Sequence, residues 1–211
     1  MTKVSIDLWG TLIKSSPQFV SAKYELVSRY FPKATEAEIR NGFASAKDKL
    51  NAIIELTGWQ PSKSFIYDVL LKSIDPSFND LYTYFYFDYR GLALKHTPDI
   101  YSDETIEYLE KMKEEGFDLI LSSNTMLIEG SYMLAIITKL HLHKYFDVIN
   151  FSDIEGYSKP NPAMYSDSQF HIGDNPVTDG LGAKRAGSTP IIINSTPLTI
   201  KDAYDFIIRN I

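Results

Sequence analysis

Val4-Ser5-Ile6-Asp7-Leu8-Trp9-Gly10-Thr11-Leu12 is an apolar run that ends on a carboxylate and breaks at a glycine. Open α/β sheets place their sites at the carboxyl ends of strands, so Asp7 reads as a nucleophile or metal ligand at such an edge. Trp9 restricts what that nucleophile can do. An indole offers one N–H donor and neither gives nor takes a catalytic proton.

Outward from this strand the texture changes twice. From Ser15 to Leu94 the periodicity is helical, without a strong strand. Ser16 and Pro17 open a first helix with Phe19, Tyr24, Leu26 and Val27 on its buried face, ending at Phe31-Pro32. Thr35 and Glu38 have capping-box spacing and start a second helix through Ile39, Phe43, Ala46, Leu50 and Ile53-Ile54, closed by Gly58. Two more helices are expected over Pro61–Ile74 and Asn79–Ala93, the latter with a dense aromatic run, Tyr82 to Tyr89. Too many rings for one helical face imply that some are exposed. Beyond His96-Thr97-Pro98-Asp99, strands alternate with helices: Phe117–Leu121, Val148–Phe151, Phe170–Gly173 and Thr189–Ile193 are the strands, and Ser102–Glu115, a stretch through Met133 to Leu140, Thr178–Ala186 and Thr199–Arg209 the helices. This order predicts an α/β fold, a Rossmann-like parallel-sheet core (1–14 and 95–211) carrying a four-helix cap subdomain (15–94).

At 211 residues and 44% hydrophobic content the chain can bury one full core with an appendage. Its formal charge of -6 opposes polyanions, so nucleic acid is not an expected partner. The absence of cysteine removes disulfides and thiolate chemistry. No stretch has the apolar length of a membrane helix or the pattern of a signal peptide, so the expectation is a cytoplasmic protein without a membrane partner. A homo-oligomer is left open.

The predicted strands deliver polar residues to one edge: Asp7, Ser123 with Asn124, Asp153 followed by Lys159, and Asp174 with Asp179. A nucleophilic carboxylate, a hydroxyl, an ammonium and further carboxylates are what phosphoryl transfer requires. Mg²⁺ suits paired carboxylates with a backbone carbonyl, being octahedral and oxygen-seeking. Taken singly, each residue has a plainer reading. Asp7 before Gly10 ends a strand in a turn, Ser122 and Ser123 serve equally well as helix caps, and loop lysines such as Lys159 are usually solvated. His171, mid-strand, reads as a hydrogen-bonded core residue, and His96, His141 and His143 lack metal-ligand spacing.

Together these segments resemble the haloacid dehalogenase superfamily with a helical cap between its first and second motifs. Asp7-Leu8-Trp9-Gly10-Thr11-Leu12 is similar to the first motif except at Trp9, Ser123-Asn124 to the second, Lys159-Pro160 to the third, and Gly173-Asp174 through Asp179 to the fourth. The resemblance implies a hydrolase of phosphatase type with a small phosphorylated molecule as substrate and Mg²⁺ as cofactor. It implies Asp7 as nucleophile and metal ligand, and Ser123, Asn124 and Lys159 at the transferring group. It also implies Asp174 and the Trp9 backbone carbonyl on the metal, and Asp179 behind them, orienting Lys159 or a metal-bound water. Burial beside a cation is expected to keep Asp7 ionised.

Two departures qualify the resemblance. Family phosphatases carry an acid–base aspartate where Trp9 stands. Its absence leaves three readings: substrates with good leaving groups, a dehalogenase, whose branch carries an aromatic residue there, or binding without turnover. The stretch from Lys159 to Asp174 is also too short for a full crossover helix, predicting an exposed sheet face, an interface or a weak point. Arg29, Arg40 and Arg90 are cap cations available to a substrate anion, although solvated arginines are the commoner case.

Overall fold

The computed structural model describes residues 1–79 and 82–211. Strand β1 (Lys3–Ile6) lies at the centre of a five-stranded sheet that also contains β4 (Asp118–Ser123), β5 (Val148–Phe151), β6 (Phe170–Gly173) and β7 (Thr189–Ile192). Their order is β5-β4-β1-β6-β7, and every pairing is parallel. Such a sheet is covered on both faces, hence the near-continuous apolar composition of its strands. Val4, Ile6, Leu119, Leu121 and Ile172 are fully buried. On the outside lie α5 (Glu104–Glu114), α6 (Gly130–Lys139) and α9 (Ile200–Asn210), with short α7 (Ser152–Glu155) and α8 (Gly182–Arg185).

Between β1 and β4 the chain departs through β2 (Ile13–Lys14) and returns through β3 (Asp99–Ile100), paired antiparallel as Ile13↔Ile100 and Lys14↔Asp99. The intervening residues form α1 (Pro17–Tyr30), α2 (Glu36–Thr57), α3 (Lys63–Ile74) and α4 (Tyr82–Lys95). Their ends follow the local signals. The Ser16 hydroxyl accepts the Phe19 N–H, Thr35 and Glu38 make a complete capping box, and Gly58 closes α2 at φ 67°. Such caps contribute typically about 1 kcal/mol each. Of the helix expected over Asn79–Ala93, residues 80 and 81 lie outside the described residues. Phe85, Tyr86 and Tyr89 are buried on α4, whereas Tyr84 and Phe87 are 74% and 50% exposed, as the crowding of aromatics requires.

One expectation is overturned. The short connection from β5 to β6 does not leave the sheet bare, because the 3-10 turn Pro162–Tyr165 buries Met164 and Tyr165 completely against Ala183. Ser122 fixes that turn by donating its hydroxyl to the Met164 carbonyl at 2.6 Å. A few residues with two large side chains thus cover the face that a helix would otherwise cover. The helix expected from Thr178 also begins earlier, as a π-helical turn over Pro176–Leu181 running into α8. Asn175 starts it by accepting the Val177 and Thr178 N–H groups. No helix among the described residues is long and apolar enough to cross a membrane.

Candidate active site

Asp7 follows β1 directly and stays in the sheet, its N–H donating to the Ile172 carbonyl at 2.9 Å. One carboxylate oxygen accepts Lys159 Nζ at 2.6 Å, and the other accepts the Thr11 hydroxyl at 3.1 Å. Lys159, only 1% exposed, also donates to Asp179 Oδ1 at 2.7 Å, so one ammonium bridges two carboxylates. Asp174 completes the group: Asp7, Asp174 and Asp179 each offer an oxygen within 4.8 Å of the others. Two glycines permit this approach. A Cβ on Gly10, which has φ 83°, would collide with the Asp174 carboxylate, and one on Gly173 with that of Asp179.

The electrostatics correct the expectation that Asp7 is simply ionised. Burial raises its carboxyl, Lys159 opposes this, and Asp179 and Asp174 raise it again, leaving it at about 7. Burial also raises Asp179, but Lys159 and His171 outweigh it and hold that carboxylate well below the usual range. Lys159 is raised despite its burial because Asp179 and Asp7 face it. Asp174 is raised by burial and by Asp179. Three carboxylates against one ammonium leave an excess of negative charge. A divalent, oxygen-seeking cation fits that excess and that donor set. Asp174 and the Thr11-bonded oxygen of Asp7 are the carboxylate groups left to hold it, since Asp179 is spent on Lys159, His171 and the Asn175 N–H.

Ser123 ends β4, the strand adjacent to β1, and its side chain is almost fully covered. Ser122 spends its hydroxyl on Met164, while that of Ser123 is engaged by no described residue and stays available to a ligand. Asn124 is used otherwise. Its Nδ2 donates to the Lys159 carbonyl at 2.8 Å and its Oδ1 accepts the Lys159 N–H at 2.7 Å, clamping the backbone that carries the ammonium. Asp153 serves α6, accepting the Gly130 N–H and the Thr125 hydroxyl.

Sequence reasoning missed two supports of this group. His171 is the hydrogen-bonded core residue its position suggested, but its partner is the site itself. It donates from Nε2 to Asp179 at 3.0 Å and accepts the Ser5 hydroxyl on Nδ1 at 2.6 Å, a tautomer set by those neighbours. Burial lowers His171, keeping it neutral in that chain. Gln60, between α2 and α3, accepts the Ser152 and Ser158 hydroxyls at 2.6 and 2.7 Å and donates to the Thr125 carbonyl at 2.9 Å. It thereby ties the helical block to the loop bearing Lys159. The only local hint was a polar residue between Trp59 and Pro61. Because Ser152 and Ser158 are fully buried, Gln60→Ala is expected to cost about 1–3 kcal/mol in urea unfolding. An unchanged midpoint would show that these bonds hold nothing.

Two of the three arginines singled out in the sequence are occupied elsewhere. Arg40 pairs with Glu36 and lies over Tyr24, Arg90 packs on Tyr86, Phe87 and Tyr132, and Arg29 is exposed.

Comparison with known proteins adds the following. A family model described as haloacid dehalogenase-like hydrolase matches residues 4–167. A glyceraldehyde 3-phosphate phosphatase from Methanothermobacter thermautotrophicus is 30% identical over 101 residues, a stretch covering 43% of this chain and 43% of that relative. Among solved structures, the HAD-hydrolase YfnB of Bacillus subtilis, bound to magnesium, superimposes with a TM-score of 0.76 at 14% identity, covering 98% of both chains. The L-2-haloacid dehalogenase of Xanthobacter autotrophicus, with chloropropionic acid covalently bound, gives 0.63 at 15% identity over 99% of this chain and 83% of that one. At such identities these two likenesses concern the fold alone.

Proposed function

The chain belongs to the haloacid dehalogenase-like hydrolases, and from that membership we propose a Mg²⁺-dependent phosphatase acting on a small phosphorylated molecule through an aspartyl-phosphate at Asp7. The observation that carries this reading is the buried ammonium of Lys159 between Asp7 and Asp179, with Asp174 close by. Three carboxylates around one cation favour a metal-assisted reaction over metal-free halide displacement. The name of the partly matching relative, a phosphatase for a three-carbon phosphate, is consistent with a small substrate.

In this reading Asp7 attacks phosphorus in line with the bond to the leaving oxygen. That bond breaks, its electron pair departs with the leaving group, and the new acyl phosphate is then cleaved by water. Lys159 and Ser123 hold the phosphoryl oxygens where charge gathers. Asn124 fixes Lys159 from behind, while Asp179 and His171 fix its ammonium. Mg²⁺ held by Asp7, Asp174 and the Trp9 carbonyl would supply further charge neutralisation. The helical block would act as the cap, excluding water and selecting the substrate. Trp9 provides no proton for the leaving oxygen, so acyl and aryl phosphates, whose leaving groups depart as anions, are the favoured class.

Phosphate release from an aryl or acyl phosphate should require Mg²⁺ and vanish in Asp7→Asn. Beryllium fluoride should be trapped at Asp7. Silence across a broad phosphate panel would defeat the phosphatase reading. The second reading, dehalogenation, is favoured by the aromatic Trp9 alone and requires halide release from a 2-haloacid without metal. Ligand or Mg²⁺ binding without turnover would identify a binding protein on this fold.

A further inference from the structure

A cavity of about 460 Å³ lies between the helical block and the loop that follows β4. Its floor is Met126-Leu127, three and four residues beyond Ser123, and Ser15 borders it beside the departing strand β2. The helices supply Lys23 from α1 and Phe43, Lys47 and Leu50 from α2. The floor is fixed: Tyr67 donates to the Leu127 carbonyl at 2.7 Å, and Lys63 and Tyr86 both engage Glu129.

The charges on this cavity are one-sided. No carboxylate lines it, and neither Lys23 nor Lys47 has an ion-pair partner among the described residues. Lys23 is half-buried, its amine held 4.9 Å from the Tyr24 ring centroid and 4.8 Å from that of Phe43. Burial, together with nearby Arg40, lowers its pKa, so its charge is incompletely compensated. Lys47 lies one helical turn beyond Phe43, on the same face. The chain itself joins the cavity to the carboxylate group: Met126 and Leu127 follow Ser123 and Asn124 at the end of β4, and Asn124 clamps the backbone of Lys159. In a chain of net charge -6, a pocket with two cations and no anion is a local inversion. Its volume suits a small metabolite.

We propose that this cavity is an anion subsite: Lys23 and Lys47 bind a second negative group of the substrate, remote from the phosphoryl group at Asp7. The substrate class is then a small phosphate that also bears a carboxylate or another phosphate. This rests on the phosphatase reading and narrows it. It separates this chain from an enzyme for an aldehyde phosphate, whose only anionic group is the phosphate. The apolar wall of Phe43, Leu50 and Leu127 carries the short carbon spacer between the two anions.

The test is calorimetric and independent of turnover. With Mg²⁺ in excess, the full chain is titrated with butylphosphonate, phosphonopropionate and propylenebisphosphonate. The two bis-anions are expected to bind about ten- to a hundredfold tighter than butylphosphonate, the range of one or two hydrogen bonds to charged groups. Whichever of the two binds tighter identifies the second group as carboxylate or phosphate. In Lys23→Met/Lys47→Met the preference should fall towards one, whereas Lys23→Arg/Lys47→Arg, which retains the charge, should keep it. A wild-type ratio near one, no binding of any of the three, or a preference that survives the methionine pair would overturn the subsite. Aryl phosphate hydrolysis measured in parallel separates the two ideas. Hydrolysis with a ratio near one defeats the subsite alone, and a preserved preference without hydrolysis defeats the phosphatase reading alone.

Discussion

Asp7→Asn should make the metal-free protein more stable at pH 8, by on the order of 2–4 kcal/mol, while abolishing turnover. The reason is the cost of holding Asp7 ionised where it sits. Its carboxyl is raised from 3.8 to about 7, chiefly by burial, with Lys159 only partly compensating and Asp179 and Asp174 adding to the rise. Each unit is worth about 1.4 kcal/mol, and the full conversion is an upper bound because the substituted amide forfeits some attraction to Lys159. The site accommodates that amide. Its oxygen can still accept from Lys159, and its NH₂ can face the Thr11 hydroxyl, which is able to accept.

The pH dependence has a definite sign. Between about pH 4 and 7 the folded state binds the Asp7 proton and the unfolded state does not, so stability falls as pH rises through that window. Asp179 acts oppositely: its depressed carboxyl contributes stability above its unfolded pKa, and this is lost as pH falls towards the folded value. The wild type should therefore converge on Asp7→Asn as pH drops from 8 to about 5, as measured by urea unfolding with a chelator present. Mg²⁺ should raise the wild-type midpoint and the variant's much less. A variant less stable than wild type at pH 8 without metal would mean that the Asp7–Lys159 pair repays its burial.

What the sequence disclosed and what it concealed divide along contact range. The helix starts at Ser16 and Thr35 and the stop at Gly58 are written within three or four residues, and the structure places them there. The parallel sheet was legible because strand composition and helix alternation are local, and its edge rule then gathered Asp7, Ser123, Lys159 and Asp174. Arg40 with Glu36 four residues earlier was a readable pair that should have removed Arg40 from the candidate ligands. The supports were not readable. Asn124 reaches Lys159 across 35 residues, Gln60 reaches Ser158 across 98, and Ser5 reaches His171 across 166. No periodicity encodes such pairings; only the folded topology creates them. The same holds for Asp7. Its neighbours were foreseen, but whether burial or Lys159 dominates depends on depth, which residue types do not specify.

Trp9→Asp tests whether the indole at this position limits phosphate-ester chemistry at the site. The expected result is a rise of about 10² to 10⁴ in turnover of alkyl phosphates, the usual contribution of a positioned acid or base. Aryl phosphates, which need no proton on departure, should change little, so the alkyl-to-aryl ratio is the sensitive readout. A carboxylate at position 9 would sit two residues from Asp7, whose own carboxyl is already raised by burial and by neighbouring acids. Its own pKa should rise for the same reason, retaining the proton that an acid must deliver near neutral pH. The exchange also removes a half-buried indole packed on the core, and it adds a fourth acid to a cluster with one ammonium. Stability should fall without metal and recover with Mg²⁺, so activity is compared on folded, Mg²⁺-loaded protein. Trp9→Asn provides the control, since it opens the same space without a proton to give. If the asparagine variant gains as much as the aspartate, the indole obstructs the site sterically. If neither gains, the missing acid does not limit this enzyme, and the slow step lies elsewhere, in cap motion or product release.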